Sequence, residues 1–509
     1  MPDERGSLKD TNWAHVFIDD ALVEESTGVS CRLVAPVRMP EPVLVPDRSW
    51  EIDRWIGDSG VSVVQEPDGR CHMWYMLVFG GQDEQQARDR IDVVGLDEKT
   101  RADLLSCPRY IMCYAVSDDG ITWEKPSLGR FRIDGCAENN IVYAGRLGQS
   151  VFLDPVAAPE SRFKMIHGGG DRIPHRLYGE RSPSRNVYHA VYGAVSPDGI
   201  DWTPTEKPIM PWYTDTTNVA YWDDQRRRYV AFVRWNEGMV LEDGMTVMNH
   251  RVFYRAIGRS ESADFNSFPK PKCILRPPKR LWHPYNTGTD YYNTAAMKYP
   301  FAPDAYFLFI SFFHHETGMV DVHLAAGRDG AAYRIWPEPF TRLGQDGTFD
   351  SRCMYMATGT VDRGDRFDLY YRGYSYPHHA PLVPRSSYTT DGAPVGIGRL
   401  QVRKDGFIAQ CFAKRGGRLL SRPFKLNGDR ILLNVDCGAG GWLRAEIQSP
   451  DGQPIPGFGE ADATPVRGNG VAIPLAWNEH PGAPKLRGRT VRLRLHGADA
   501  RLYALRTAG

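Results

Sequence analysis

A tight turn built on Asp and Gly ends a strand-like run four times along this chain. The copies are Ser117-Asp118-Asp119-Gly120 ahead of Trp123, Ser196-Pro197-Asp198-Gly199 ahead of Trp202, Arg328-Asp329-Gly330, and Lys404-Asp405-Gly406. A degenerate fifth copy, Ser260-Glu261-Ser262-Ala263-Asp264-Phe265, fills the one wide gap. The four glycines lie 79, 131 and 76 residues apart, and the middle interval holds two units. Repeats of this length, rich in short alternating strands and turns, predict an all-β chain that folds as a β-propeller, one blade to each repeat.

Three strands per repeat can be read from β-branched and aromatic enrichment. They cover 61–65, 72–79 and 110–116; 150–153, 163–167 and 188–195; 218–222, 229–235 and 252–258; 292–299, 305–313 and 320–326; and 353–361, 367–373 and 396–402. From Leu419 the rhythm changes to short strands with no further Asp/Gly unit, which predicts a C-terminal β-sandwich. The expected division is an N-terminal segment 1–50 that braces or closes the propeller, a five-bladed propeller over 51–415, and the sandwich over 416–509. The strand near His15 to Ile18 is expected to close the fifth blade or brace the sandwich.

Composition sets outer limits. The 62 basic and 62 acidic residues balance, which gives no reason to expect nucleic acid or an anionic membrane as partner. Nine scattered cysteines without a C-x-x-C pair suggest reduced thiols. No signal-like segment opens the chain, and the longest apolar run is too short to span a bilayer, so a cytoplasmic location is expected. A homo-oligomer is compatible with all of this.

Within a blade the connections alternate between two ends. Those after the first strands are short. Those after the second strands are mostly long, at 80–109, 168–187, 236–251 and 374–395, and only 314–319 is short. Long loops gathered at one end commonly build a site. The first strands start at that end, nearest the axis, and carry Asp215-Thr216-Thr217-Asn218, Asp290-Tyr291-Tyr292-Asn293 and Asp350-Ser351-Arg352. Glu51, Asp53 and Asp58 precede the first strand, and the second blade has only Gln149-Ser150. A single such Asp can simply make an Asx turn.

A ring of carboxylates suits glycoside hydrolysis, which needs one carboxylic acid for the leaving oxygen and a second carboxylate as nucleophile or base. Crowding like charges would hold one of them protonated near neutral pH. The candidate catalytic set is therefore Asp215, Asp290 and Asp350, with Glu51 or Asp58 as the fourth. Arg234, His314, Arg352, Arg372 and His378, with Asn218 and Asn293, are candidates for holding sugar hydroxyls. Surface salt bridging is the plain alternative for the arginines. Trp282 and Tyr291 would supply aromatic walls.

Several phrases make the chain similar to a known group. They are Tyr114-Ala115-Val116-Ser117-Asp118-Asp119-Gly120-Ile121-Thr122-Trp123-Glu124-Lys125-Pro126, Glu138-Asn139-Asn140-Ile141-Val142, Gly258-Arg259-Ser260-Glu261-Ser262 and Pro454-Ile455-Pro456-Gly457-Phe458. The chain resembles the five-bladed propellers of glycoside hydrolase families 32, 43, 62 and 68, and most closely bacterial family-32-like proteins with a C-terminal sandwich. The resemblance covers roughly residues 15 to 506 and implies an exo-acting hydrolase of a small oligosaccharide, with a fructo- or arabinofuranoside as substrate and no cofactor. The chain departs from the W-M-N-D-P-N-G motif of invertases, offering Trp50-Glu51-Ile52-Asp53 and Asp58, and it has no R-D-P and no E-C at the third blade.

Other readings compete. A non-catalytic carbohydrate-binding propeller would use Trp212, Tyr213, Trp282 and Tyr291. A sialidase-like hydrolase would fit the Asp turns, although Ser117 to Trp123 is one residue short of that family's S-x-D-x-G-x-T-W. His283, His314, His315, His378 and His379 could converge on a metal without any known ligand spacing. The Asp ring could also hold a structural cation.

Overall fold

The structure is a computed structural model that describes residues 14–51, 55–78, 90–94, 110–144, 147–171, 188–212, 214, 217–236, 239–242, 245–248, 254–278, 288–378, 395–478 and 480–509. Strands dominate, and they form five antiparallel four-stranded units in chain order. Unit one is Trp55–Gln65, Cys71–Val78, Tyr110–Ser117 and Ile141–Ala144. Unit two is Leu147–Leu153, Phe163–Asp171, Tyr188–Ser196 and Thr203–Pro204. Unit three is Val219–Asp223, Arg228–Asn236, Arg255–Ser262 and Lys272–Leu275, and unit four is Thr289–Lys298, Tyr306–His314, Val320–Gly327 and Arg334–Thr341. Unit five is Cys353–Met356, Arg366–Tyr374 and Val395–Arg403, completed by Val37–Arg38 from the N-terminal segment. A single parallel contact between Val320 and Cys353 joins units four and five.

Each unit has one strand more than the sequence rhythm shows. In units one, two, three and five the outermost strand is only two to four residues long, so it carries little periodic signal. Middle strands such as Cys71–Val78 are buried along their whole length. Both faces of each unit pack against neighbours, which is why these runs read as continuously apolar rather than alternating.

A cavity of about 430 Å³ is lined by residues from all five units, among them Val63, Val151, Val219, Met297 and, just past the first strand of unit five, Thr358. Neighbouring first strands are tied directly. Ser62 Oγ accepts hydrogen bonds from the Val151 amide and Thr358 Oγ1, both at 2.9 Å, which joins units one, two and five. The Asn218 amide donates to the Gly148 carbonyl, and Asn293 Nδ2 donates to Thr217 Oγ1.

The Asp/Gly turns are clasps between units. Asp119 Oδ1 accepts from the amides of Ile121 and Thr122 and from Ser117 Oγ. Its slight burial would raise its pKa, but those donors bring it down to about 2. Asp198 and Asp329 repeat the amide pattern. Tyr370 Oη of unit five donates to the Gly120 carbonyl at 2.7 Å, and Trp74 Nε1 of unit one donates to the Gly199 carbonyl at 2.7 Å. Gly199 has φ +78°, and a Cβ there would stand 2.4 Å from Trp74 Cζ2. Gly199→Ala is therefore expected to destabilise the fold by more than about 1 kcal/mol in chemical denaturation. The Lys404-Asp405-Gly406 copy does different work. Asp405, at φ +61°, accepts from Tyr299 Oη, Asn434 Nδ2 and Arg506. It pins unit four to the C-terminal strands.

Those strands centre on two 19-residue runs, Arg430–Gln448 and Thr490–Ala508, paired antiparallel with a break between Cys437 and Trp442. Leu433, Leu443, Trp477, Leu493 and Leu495 form their core with Phe17 from the N-terminal segment. The N-terminal segment serves both parts of the chain. Ala14–Val16 pairs with Thr490–Ala508, and Val23–Thr27 and Val29–Leu33 add further strands, while Val37–Arg38 completes unit five. Ile408–Phe412, which the strand rhythm leaves with the propeller, pairs with Val29–Leu33 and Thr490–Ala508.

Candidate active site

The end of unit three and the start of unit four bring charged side chains together. Strand Arg228–Asn236 runs out at Arg234, Trp235 and Asn236, and strand Arg255–Ser262 begins beside it. Unit four opens with Thr289, Asp290, Tyr291 and Tyr292, where a bulge falls between Tyr291 and Asn293. Asp290 is 2% exposed. Its Oδ2 accepts from Arg255 Nη1 at 2.7 Å and lies 3.0 Å from His315 Nε2, while Oδ1 accepts from the Arg255 amide at 3.2 Å. Burial alone would raise its pKa. The hydrogen bond from His315 and the charge of Arg255 outweigh burial and hold the carboxyl below its usual range.

Aromatic rings wall this carboxylate. The Arg234 guanidinium lies 4.2 Å from the Tyr292 ring centre, and its Nε donates to the Tyr292 carbonyl. The Arg255 guanidinium is 5.0 Å from the same ring. His378 meets Tyr292 edge-on at 4.5 Å, and its Nδ1 is 2.6 Å from Tyr355 Oη. Phe313 contacts both His315 and His378, and Arg372 lies over Tyr355 at 5.9 Å. Arg234 and Arg372 are buried. Units three, four and five thus converge on one cluster at the end where the first strands begin.

Only part of the expected site is here. Asp290, Arg234, Arg372 and His378 join the cluster. Asp215 and Trp282 lie outside the described residues, and of Asp58 only the backbone, in strand Trp55–Gln65, is described.

Asp350 does not join. It accepts from Tyr371 Oη at 2.8 Å, Thr348 Oγ1 at 2.7 Å and Arg38 Nη1 at 3.4 Å. Tyr371 and Arg372 are consecutive in a strand and point to opposite faces, so a group bonded to Tyr371 is turned away from Arg372. Asp350→Asn is expected to keep turnover per folded molecule and to lose about 1–3 kcal/mol of stability, read from denaturant titration beside initial rates.

Glu51 is fully buried and engaged at both oxygens. Oε2 accepts from Lys125 Nζ at 2.7 Å and from the Asp47 and Arg48 amides, and Oε1 from Tyr75 Oη at 2.6 Å. It is a structural tie rather than an acid or base. Asn218 accepts from Thr214 Oγ1, and with Asn293 it serves the ties around the axis. Tyr291 stacks on Phe312 at 4.7 Å, within unit four. His314 bonds Asp321 and Thr289, and Arg352 reaches Asp346 at the surface.

No family profile matches the sequence, and no curated protein matches it. Among solved structures, it is similar to a family 43 arabinoxylan arabinofuranohydrolase from Bacillus subtilis, at 10% identity and TM-score 0.38, over 89% of this chain and 96% of that one. It is similar to the Bombyx mori family 32 β-fructofuranosidase at 9% identity and TM-score 0.39, over 92% and 94%. The catalytic domain of a Coprinopsis cinerea family 62 α-L-arabinofuranosidase gives 12% identity and TM-score 0.41, over 72% and 97%. Likeness at this level leaves the site to be read from its own residues.

Arg255, Tyr292 and Tyr355 escape the sequence reading, and His315 enters it only as one of several histidines weighed as metal ligands. Strand parity was the available signal. Phe313 pairs with Asp290, and the side chain that reaches back to the carboxylate is His315 rather than His314. Among the described residues no group of three His, Cys, Asp or Glu could hold a metal ion.

Proposed function

We propose that the chain is an exo-acting glycoside hydrolase of a small oligosaccharide, and that its five units are the blades of a five-bladed β-propeller followed by a β-sandwich. The ionised Asp290, buried among arginines, histidines and aromatic rings, carries the reading. Glycosidic cleavage passes through a state with positive charge on the sugar ring, and a fixed negative charge beside that ring stabilises it. A carboxylate held low in pKa by His315 and Arg255 serves as nucleophile, base or electrostatic partner, and not as the proton donor.

The acid is then a second group, for which Asp215 is the candidate carried over from the sequence reading. Tyr292, Tyr355 and Phe313 offer apolar faces to the sugar, and Arg234, Arg372 and His378 offer donors to its hydroxyls. The furanoside preference and exo-action extend the resemblance seen in the sequence phrases.

Incubation with aryl furanosides, aryl pyranosides and fructo- and arabino-oligosaccharides tests the reading. The expected result is release of one monosaccharide from one furanoside. Silence across the panel, with a thermal shift on adding a sugar, would replace it with a carbohydrate-binding propeller.

A further inference from the structure

On the face of unit three that looks at unit four, three side chains that donate hydrogen bonds stand together. Arg234 and Asn236 are two apart in one strand and so share a face, and Asn236 lies directly opposite Arg255 in the neighbouring strand. Arg234 reaches Tyr292 and Arg255 reaches Asp290, which fixes that face toward unit four. Asn236 is 1% exposed, and its buried Nδ2 has no hydrogen-bond partner among the described residues. A buried amide N–H left without an acceptor is costly and seldom kept in a fold without a use.

A guanidinium donates and never accepts. The group that completes a patch made of two guanidiniums and an amide N–H is one that only accepts. Sugar hydroxyls both donate and accept, whereas a carboxylate or a phosphate presents acceptor oxygens alone and is matched in charge by arginine. Asp290 already supplies one such carboxylate, to Arg255 and His315; the Asn236 amide calls for another.

We infer that the sugar bound in this pocket carries a carboxylate, as a uronic acid does, and that its oxygens accept from Asn236 Nδ2 beside the Arg234 and Arg255 guanidiniums. This rests on reading the pocket as a glycoside site. Asn236 would be a specificity residue, choosing acidic over neutral sugars.

Calorimetry of the purified full chain tests the inference without any need for turnover, using D-glucuronate and D-galacturonate against D-glucose and D-galactose, with inorganic phosphate as a separate arm. The expected result is at least ten-fold tighter binding of one uronate than of its neutral counterpart. Asn236→Asp, which puts a negative charge where the acceptor would sit, should erase that preference. Asn236→Ser, which removes the amide without adding charge, should cut uronate binding several-fold and covers the case in which the Asp variant does not fold. Equal binding of acidic and neutral sugars by the wild type would overturn the inference. Phosphate that binds as tightly as the uronate and competes with it would also overturn it, because the anion would then be free phosphate. Uronate binding without hydrolysis of any uronide or neutral glycoside, by contrast, would count against the hydrolase reading alone.

Discussion

Asp290→Asn lowers kcat by about 10³-fold while the pocket still binds sugar. The carboxylate sits at the centre of the cluster, and its charge favours a cationic transition state over a neutral ground state. An amide of the same shape can still accept from Arg255, so the walls made by Tyr292, Tyr355 and His378 stay in place. Loss of charge then appears in kcat rather than in binding. Steady-state rates beside calorimetry of a bound monosaccharide check this. Wild-type kcat in a folded Asp290→Asn protein would remove Asp290 from the chemistry.

Glu51→Gln shows the opposite pattern, with a large loss of stability and little change in rate per folded molecule. Lys125, with 5% of its side chain exposed, loses the buried carboxylate it pairs with at 2.7 Å. The Tyr75 hydroxyl and two backbone amides lose an ionised acceptor at the same time. Breaking a buried pair from one side typically costs about 3–5 kcal/mol. Asp47 and the Val45 carbonyl also hold the Lys125 ammonium, which places the expected loss near the lower end. Urea unfolding reads it directly, as a lower midpoint at unchanged slope.

These two carboxylates looked alike in the sequence, and the difference between them shows what a sequence can carry. The repeat, the strands and the turns were legible, because strand alternation and Asp/Gly turn chemistry are local. Even the degenerate copy keeps its turn, with Asp264 Oδ1 accepting from the Asn266 amide. The outer strands were not legible, since Thr203–Pro204 is two residues long and the last one, Val37–Arg38, arrives from the far end of the chain. Which side chains meet at the axis was still harder. That depends on parity and on bulges, and a shift of one residue sends a side chain to the other face. His315 rather than His314 reaches Asp290 for that reason, and Asp350 turns to Tyr371. The expectation of like charges crowded together also gave way: Asp290 is bonded to Arg255 and His315, and its pKa falls where crowding would have raised it.

The pH dependence of kcat/KM for wild type and His315→Ala tests most directly the claim that Asp290 works as an ionised carboxylate. Asp290 is active only when charged, so activity falls as pH drops through its pKa, and a lowered pKa carries activity to more acidic solution. The account expects a wild-type acidic limb below the usual carboxylate range. It expects that limb to move upward in His315→Ala, because the donor that holds the carboxyl low is gone. An acidic limb that stays in place when His315 is removed would contradict it.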